Sequence, residues 1–238
     1  MLGNNWLALF VTFAVALAWL RLMDFAAHRG WVESRLSRKI IHIGTGPLYV
    51  VCWLLFTDAP VSRYLAALVP LSITAQFALV GLGVIKDQAS VDAMSRSGDR
   101  REILRGPLYY GMIFVVVTLL YWLETPAGIV ALMLVCGGDG LADIVGRRYG
   151  HQKLPWNPKK SWLGTTGFFI GGWLLTMLIL TIFVGAGVFP GSIGSYLTGV
   201  TIIALVATLV ESISPPDVDN LTIALSALVL GYFLFPFL

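Results

Sequence analysis

Long apolar runs separated by short polar segments make up nearly the whole chain. A helix needs about 20 apolar residues to cross a hydrocarbon core roughly 30 Å thick. Runs of that kind predict helices over 4–22, 40–56, 61–85, 107–123, 127 onward, 165–184, 196–210 and from 221 to the C-terminus. The expected fold is therefore an all-α polytopic membrane bundle of about eight spans, or seven if the stretch around 126–146 does not cross. Val32, Leu36 and Ile40 recur at four-residue spacing, which predicts an interfacial helix feeding into the second span. Gly44, Gly46 and Pro47 are expected to break the first turns of that span, and Pro70 to kink the third. The first run has no positive residue before it and no small-residue cleavage site after it, so it is read as a retained helix.

The fifth span is the ambiguous one. Its purely apolar part, 127–136, is only about 15 Å long at 1.5 Å per residue. To cross, it must continue through GGDGLADIV, which puts Asp139 inside the bilayer and Asp143 near its boundary. The other option is a break at Gly137-Gly138 with a second short helix beyond. Irregular backbone at that depth survives only where protein or water covers it.

Composition agrees with the pattern. The chain of 238 residues is 57% hydrophobic and 12% charged, with mean hydropathy +0.82; soluble proteins carry about 25% charged residues. All 238 residues are expected to form one integral membrane domain, with the lipid bilayer as a partner and every function in the bundle or its short loops. A net charge of +3 gives no reason to expect nucleic acid. Cys52 and Cys136 lie in apolar runs without metal-ligand spacing and read as packing residues.

Charge placement predicts topology. The loop after helix 1 carries Arg21, Arg29, Arg35, Arg38 and Lys39; that after helix 3 carries Lys86, Arg96, Arg100, Arg101 and Arg105; that after helix 5 carries Arg147, Arg148, Lys153, Lys159 and Lys160. Only Arg63 of the 16 basic residues lies elsewhere. The positive-inside rule then makes these loops cytoplasmic and both termini non-cytoplasmic.

The candidate chemistry centres on CGGDGLADIVGRRYGHQKLPWNPKKSWLGTT, residues 136–166. Asp139 and Asp143, at i and i+4, share a helix face and repel unless a cation joins them. Mg²⁺ takes one or two carboxylates together with substrate phosphates, and Gly138 and Gly140 allow a ligand close approach. Arg147, Arg148, Lys159 and Lys160 can neutralise a triphosphate, although anchoring to anionic lipid explains the two arginines equally well. Lys160 and Ser161 run into Gly164 and Thr165 at the start of a helix, where free N–H groups bind phosphate. The spacing is not that of a Walker loop. Lys39 and His42 face the same way, Asp99 sits in a turn-forming SRSGD segment, and Glu211, Asp217, Asp219 and Asn220 cluster without a basic partner in ESISPPDVDN. That cluster suggests a metal or a basic site nearby, or else a loop exposed to water. Because nearly all polar residues gather at one face, interfacial chemistry fits better than a transporter or channel.

Three segments carry a resemblance: SRSGDRREILRGPLYYG, GDGLADIVGRRYG with KLPWNPKKSWLGT, and ESISPPDVDNLT. The sequence resembles the phytol/farnesol branch of the polyprenol and dolichol kinase family, CTP-dependent membrane lipid-alcohol kinases. The resemblance implies transfer of the γ-phosphate of CTP to a prenyl alcohol (phytol, farnesol or geranylgeraniol) at the cytoplasmic membrane face. It implies nucleotide and Mg²⁺ binding at Asp139, Asp143, Lys160 and Ser161, with Asp219 and Asn220 in support. One carboxylate, Asp219 or Asp143, would orient or deprotonate the alcohol. The Pro158-to-Gly164 core is also similar to phosphatidate cytidylyltransferases, which makes a CTP-dependent cytidylyl transfer the alternative reading. The expected location is a bacterial membrane, inner or thylakoid and cyanobacterial included; the oligomeric state is left open.

Overall fold

The computed structural model describes residues 1–95, 97–215 and 217–235. Arg96 of the second basic loop, residues 236–238 of the last predicted helix and the side chain of Arg35 lie outside what it describes. The α-helices are α1 (Asn5–His28), α2 (Ser34–Val51), α3 (Ser62–Leu82), α4 (Gln88–Met94), α5 (Gly106–Tyr121), α6 (Pro126–Met133), α7 (Gly140–Tyr149), α8 (Trp162–Gly185), α9 (Ile193–Ile213) and α10 (Asp219–Leu234). Among the described residues, six helical stretches are long and apolar enough to cross a membrane: Asn5–His28, Ser62–Leu82, Arg100–Tyr121, Pro126–Tyr149, Trp162–Gly185 and Ile193–Ile213. α2 starts among charged residues and α10 is a shorter apolar helix.

The fifth predicted span does not break at its glycines. α6 passes into a π-helical segment, Leu134–Asp139, and this passes directly into α7. A π turn inside an α-helix commonly marks a functional site. Here it carries Gly137 and Gly138 into the centre of the bundle, where residues 127–138 are all buried. The glycines permit a close contact with α8. A methyl group on Gly137 would stand 2.6 Å from the Gly171 carbonyl oxygen of α8. One on Gly164 would stand 3.1 Å from Gly146 Cα. Small residues of this kind let helix backbones approach in a bilayer, where apolar burial alone gives no drive to associate. The i, i+4 pair Gly167 and Gly171 therefore serves packing within the chain: Gly167 meets Leu141, and Gly171 meets Gly137.

Several local expectations are corrected. The predicted interfacial helix and the second span are one continuous helix, α2, with Pro47 inside it, followed by a 3₁₀ turn, Cys52–Leu55. The polar segment after α3 is not a plain loop: it holds α4 and a 3₁₀ turn, Arg100–Leu104, capped by Asp99. The basic segment after α7 forms an antiparallel hairpin of β1 (Lys153–Leu154) and β2 (Asn157–Ser161), the one departure from an all-α chain among the described residues. α9 continues to Ile213, so Glu211 lies in a helix and not in a loop.

At the end of the bundle near the N-terminus, the Leu2 N–H donates to the Leu55 carbonyl at 2.9 Å, and Arg63 pairs with Glu124. An aromatic cluster fills this end, with Trp53 tilted against Trp122 at 4.9 Å and met edge-on by Tyr49 at 5.9 Å.

Candidate active site

The helix from 126 to 149 turns both of its carboxylates toward α2. Lys39 Nζ lies 3.3 Å from Asp139 Oδ2 and 3.5 Å from Asp143 Oδ2. One ammonium thus joins the two like charges that one helical turn of sequence brings together. Arg147 Nε donates to the other oxygen of Asp143 at 2.6 Å. His42, one turn beyond Lys39, places Nε2 3.3 Å from Asp139 Oδ2 and 3.2 Å from the Val135 carbonyl of the π segment. Both partners are acceptors, so the arrangement calls for the proton on Nε2. Tyr110 of α5 covers the ring at 4.4 Å and donates its hydroxyl proton to the His42 carbonyl at 2.9 Å.

The second corner is built from segments far apart in sequence. Lys160, on β2, lies 2.5 Å from Glu211 Oε1 and 3.3 Å from Asp219 Oδ2. The acidic cluster thus does have a basic partner, which spacing alone could not reveal. Burial pulls the Lys160 ammonium toward neutrality, but Glu211, Asp219 and the more distant Asp139 outweigh it and hold its pKa above the ordinary value of 10.5. Asn157 donates to the Ser212 carbonyl at 3.0 Å and Trp156 to the Ser212 hydroxyl at 3.3 Å, which fastens the hairpin to the end of α9. Ser161 caps α8, its Oγ accepting from the Gly164 N–H at 3.2 Å. Glu211 is 1% exposed, and among the described residues neither its Oε2 nor Oδ1 of buried Asn220 has a hydrogen-bond partner.

These corners open on one cavity of about 780 Å³. Its polar chamber is lined by Lys39, His42, Asp139, Asp143, Arg147, Lys159, Lys160, Ser161, Gly164, Thr165, Glu211, Asp219 and Asn220, which brings together most of the residues singled out from sequence. Four of those residues are not in the lining. Gly138 packs on the Phe168 ring and Gly140 on Ile43. Arg148 lies over the Tyr149 ring, and Asp99 caps its 3₁₀ turn. Gly138 and Gly140 therefore serve helix contact, where a ligand approach was expected.

From this chamber an apolar arm runs between α1, α2, α3 and α5, past Tyr110, Gly111 and Thr74 to Val69, Phe114 and Tyr49. Arg105, whose Nη1 lies 3.8 Å from Asp217, also lines the cavity. Sequence reasoning passed over Arg105, Tyr110 and Tyr49. The first two stand in the LRGPLYYG motif, beside a loop read only for its charge, and Tyr49 looks like any aromatic residue in an apolar run.

Both carboxylate oxygens face one ammonium nitrogen at 3.3 and 3.5 Å, so a single cation can touch both. Among the described residues no group of three or more His, Cys, Asp or Glu is disposed to hold a metal. Asp139 and Asp143 are a pair of carboxylates, and Mg²⁺ takes one or two carboxylates and completes its shell with phosphate and water.

No family model and no solved structure matches the chain. Curated relatives cover almost all of it. A wheat (Triticum aestivum) protein named probable phytol kinase, chloroplastic, is 40% identical over 237 residues, 99% of this chain and 79% of the relative. A rice (Oryza sativa subsp. japonica) protein named probable phytol kinase 1, chloroplastic, is 42% identical over 224 residues, 93% of this chain and 71% of the relative. An Arabidopsis thaliana protein named farnesol kinase, chloroplastic, is 38% identical over 227 residues, 94% of this chain and 74% of the relative. All three are plant proteins named for the chloroplast, which overturns the expectation of a bacterial membrane. Identity at this level over nearly the full length shows that the chain belongs to the phytol and farnesol kinase family.

Proposed function

We propose that the protein phosphorylates a prenyl alcohol (phytol, farnesol or geranylgeraniol), with CTP as donor and Mg²⁺ bound at Asp139 and Asp143. The observation that carries this reading is the single cavity in which a charged chamber continues into an apolar arm. A water-soluble triphosphate and a lipid-soluble hydroxyl need that juxtaposition to meet. CTP in particular is taken from the likeness of the 136–166 stretch to the family's nucleotide motif.

Phosphoryl transfer asks a protein mostly for positioning and charge neutralisation. Lys159, Lys160 and Arg147 face the chamber from the side of the hairpin and α7, and would hold the phosphates. When bound, Mg²⁺ supplies neutralisation of the phosphate oxygens. His42 and Tyr110 stand where chamber meets arm and would orient the hydroxyl. The alcohol oxygen attacks the γ-phosphorus, the bond from that phosphorus to the β–γ bridging oxygen breaks, and CDP leaves. A chamber carboxylate, Asp143 or Asp219, receives the hydroxyl proton.

We further propose that eight helices cross, α2 and α10 included, and that both termini lie opposite the basic loops. Support comes from the contacts at each end. Leu2 meets Leu55 and Arg63 meets Glu124 at one end; Lys160 meets Glu211 and Arg105 meets Asp217 at the other.

Purified protein given CTP, Mg²⁺ and farnesol, geranylgeraniol or phytol should yield the alcohol monophosphate and CDP. Pyrophosphate release from phosphatidate would favour cytidylyl transfer instead. No product from any of the three alcohols overturns the kinase reading.

A further inference from the structure

The arm is closed at its far end. Tyr49 is 5% exposed, and its hydroxyl bridges α3 and α5 by contacts to the Ala66 carbonyl at 3.1 Å and to Thr118 Oγ1 at 2.9 Å. Its ring abuts Phe114 at 5.9 Å and, on the other side, Trp53, which is fully buried and does not line the cavity. Along α2 the rise from His42, where chamber meets arm, to Tyr49 is about 10 Å, and along α3 that from Phe77 to Val69 is about 12 Å, at 1.5 Å per residue. An extended isoprene unit adds four chain bonds of about 1.5 Å each, which in zigzag advance it by roughly 5 Å. The arm is therefore between two and three units deep.

We propose that Tyr49 is a molecular stop that sets the length of isoprenoid the protein accepts, with up to three units fitting and a fourth meeting the aromatic floor. This rests on the prenyl-alcohol reading and adds the residue that sets chain length. The alcohol arrives from lipid, so moving its tail into an apolar arm changes little in hydration, and hydrophobic burial cannot count carbons. Length is sensed only where the arm ends. Close-packed interiors resist even one added methylene, so a floor braced by two hydrogen bonds and two edge-on ring contacts does not give way to a whole isoprene unit.

The test pairs turnover with a binding measurement. With geraniol, farnesol and geranylgeraniol as a length series, kcat/KM of the wild type should peak at farnesol. Tyr49→Ala should raise the geranylgeraniol-to-farnesol ratio by about ten-fold or more, within the range that fit in an apolar pocket commonly gives. Tyr49→Phe, which keeps the ring, should retain the wild-type order; if it shifts as Tyr49→Ala does, the floor assignment is wrong. In wild-type protein, farnesol carrying a diazirine on its last unit should label the segment around Tyr49 or Phe114. Label confined to outward-facing side chains such as Met112 would overturn the proposal, whether or not the alanine variant folds. Label at the floor without phosphorylation of any alcohol would count against the kinase reading alone and leave the stop standing.

Discussion

Lys160 Nζ and Glu211 Oε1 stand 2.5 Å apart, joining the hairpin that follows α7 to the buried last turn of α9. Removing the cation leaves a carboxylate that is 1% exposed without its partner. Breaking a buried pair from one side costs about 3–5 kcal/mol. Lys160→Met should lower the melting temperature in detergent by several degrees, and Lys160→Met with Glu211→Gln should recover much of that loss without restoring turnover. Equal stability of wild type and single variant would contradict the assigned pairing.

The pH dependence of that stabilisation follows from the raised pKa of Lys160. A cation favoured by the fold contributes fully below its unfolded value of 10.5, and the contribution is lost only as pH rises through the higher folded value. The contribution of the Lys160 ammonium should therefore persist through neutral pH and fall only in strong alkali, where the melting temperature of the wild type drops toward that of Lys160→Met. Convergence of the two melting temperatures as pH rises from about 7 to about 9 would disprove it.

Asp139→Asn keeps the shape of the side chain and removes the charge that faces both Lys39 and His42. Phosphoryl transfer should fall by about 100-fold or more, the scale on which single charge-stabilising groups act. Chelating divalent ions should abolish turnover in the wild type, and Asp143→Asn should raise the Mg²⁺ needed for half-maximal rate. Turnover that survives EDTA would refute the metal assignment.

Gly137→Ala places a methyl 2.6 Å from the Gly171 carbonyl and must push α8 away. Overpacking of this kind costs about 1–3 kcal/mol. Denaturation by SDS should begin at lower detergent fraction than for the wild type; an unchanged midpoint would show that the helix contact is looser than described.

Cys52 and Cys136 are buried, so an introduced cysteine reports alone. Ser97→Cys, in the second basic loop, and Ser192→Cys, before α9, are both at exposed positions. A membrane-impermeant maleimide should reach them from opposite sides of sealed vesicles. Labelling from one side would exclude the proposed topology.

Much of this arrangement is legible in the chain because its period is simple. Apolar runs set the helices, and the i, i+4 spacing of Asp139 and Asp143 sets their shared face. Lys39 and His42, three apart, do meet the same carboxylate. What escapes is what depends on partners distant in sequence. Glu211 reads as a loop residue because Ser-Pro-Pro follows soon after, yet α9 runs on to Ile213 and Lys160 stands beside Glu211. Gly138 and Gly140 read as room for a ligand, and only the positions of Phe168 and Ile43 show that helices occupy that room. The π segment leaves no mark in an apolar stretch, since its wider turn alters the phase of the helix and not its composition.

The tie from the hairpin to the last two helices also bears on when the protein can work. A ribosome delivers Asp139, Asp143 and Lys160 well before Asp219, and α10 comes last. Until α10 docks, the hairpin lacks one of its ties and the chamber one of its walls. A nascent chain that has not yet reached α10 would hold both central aspartates and still have an open chamber.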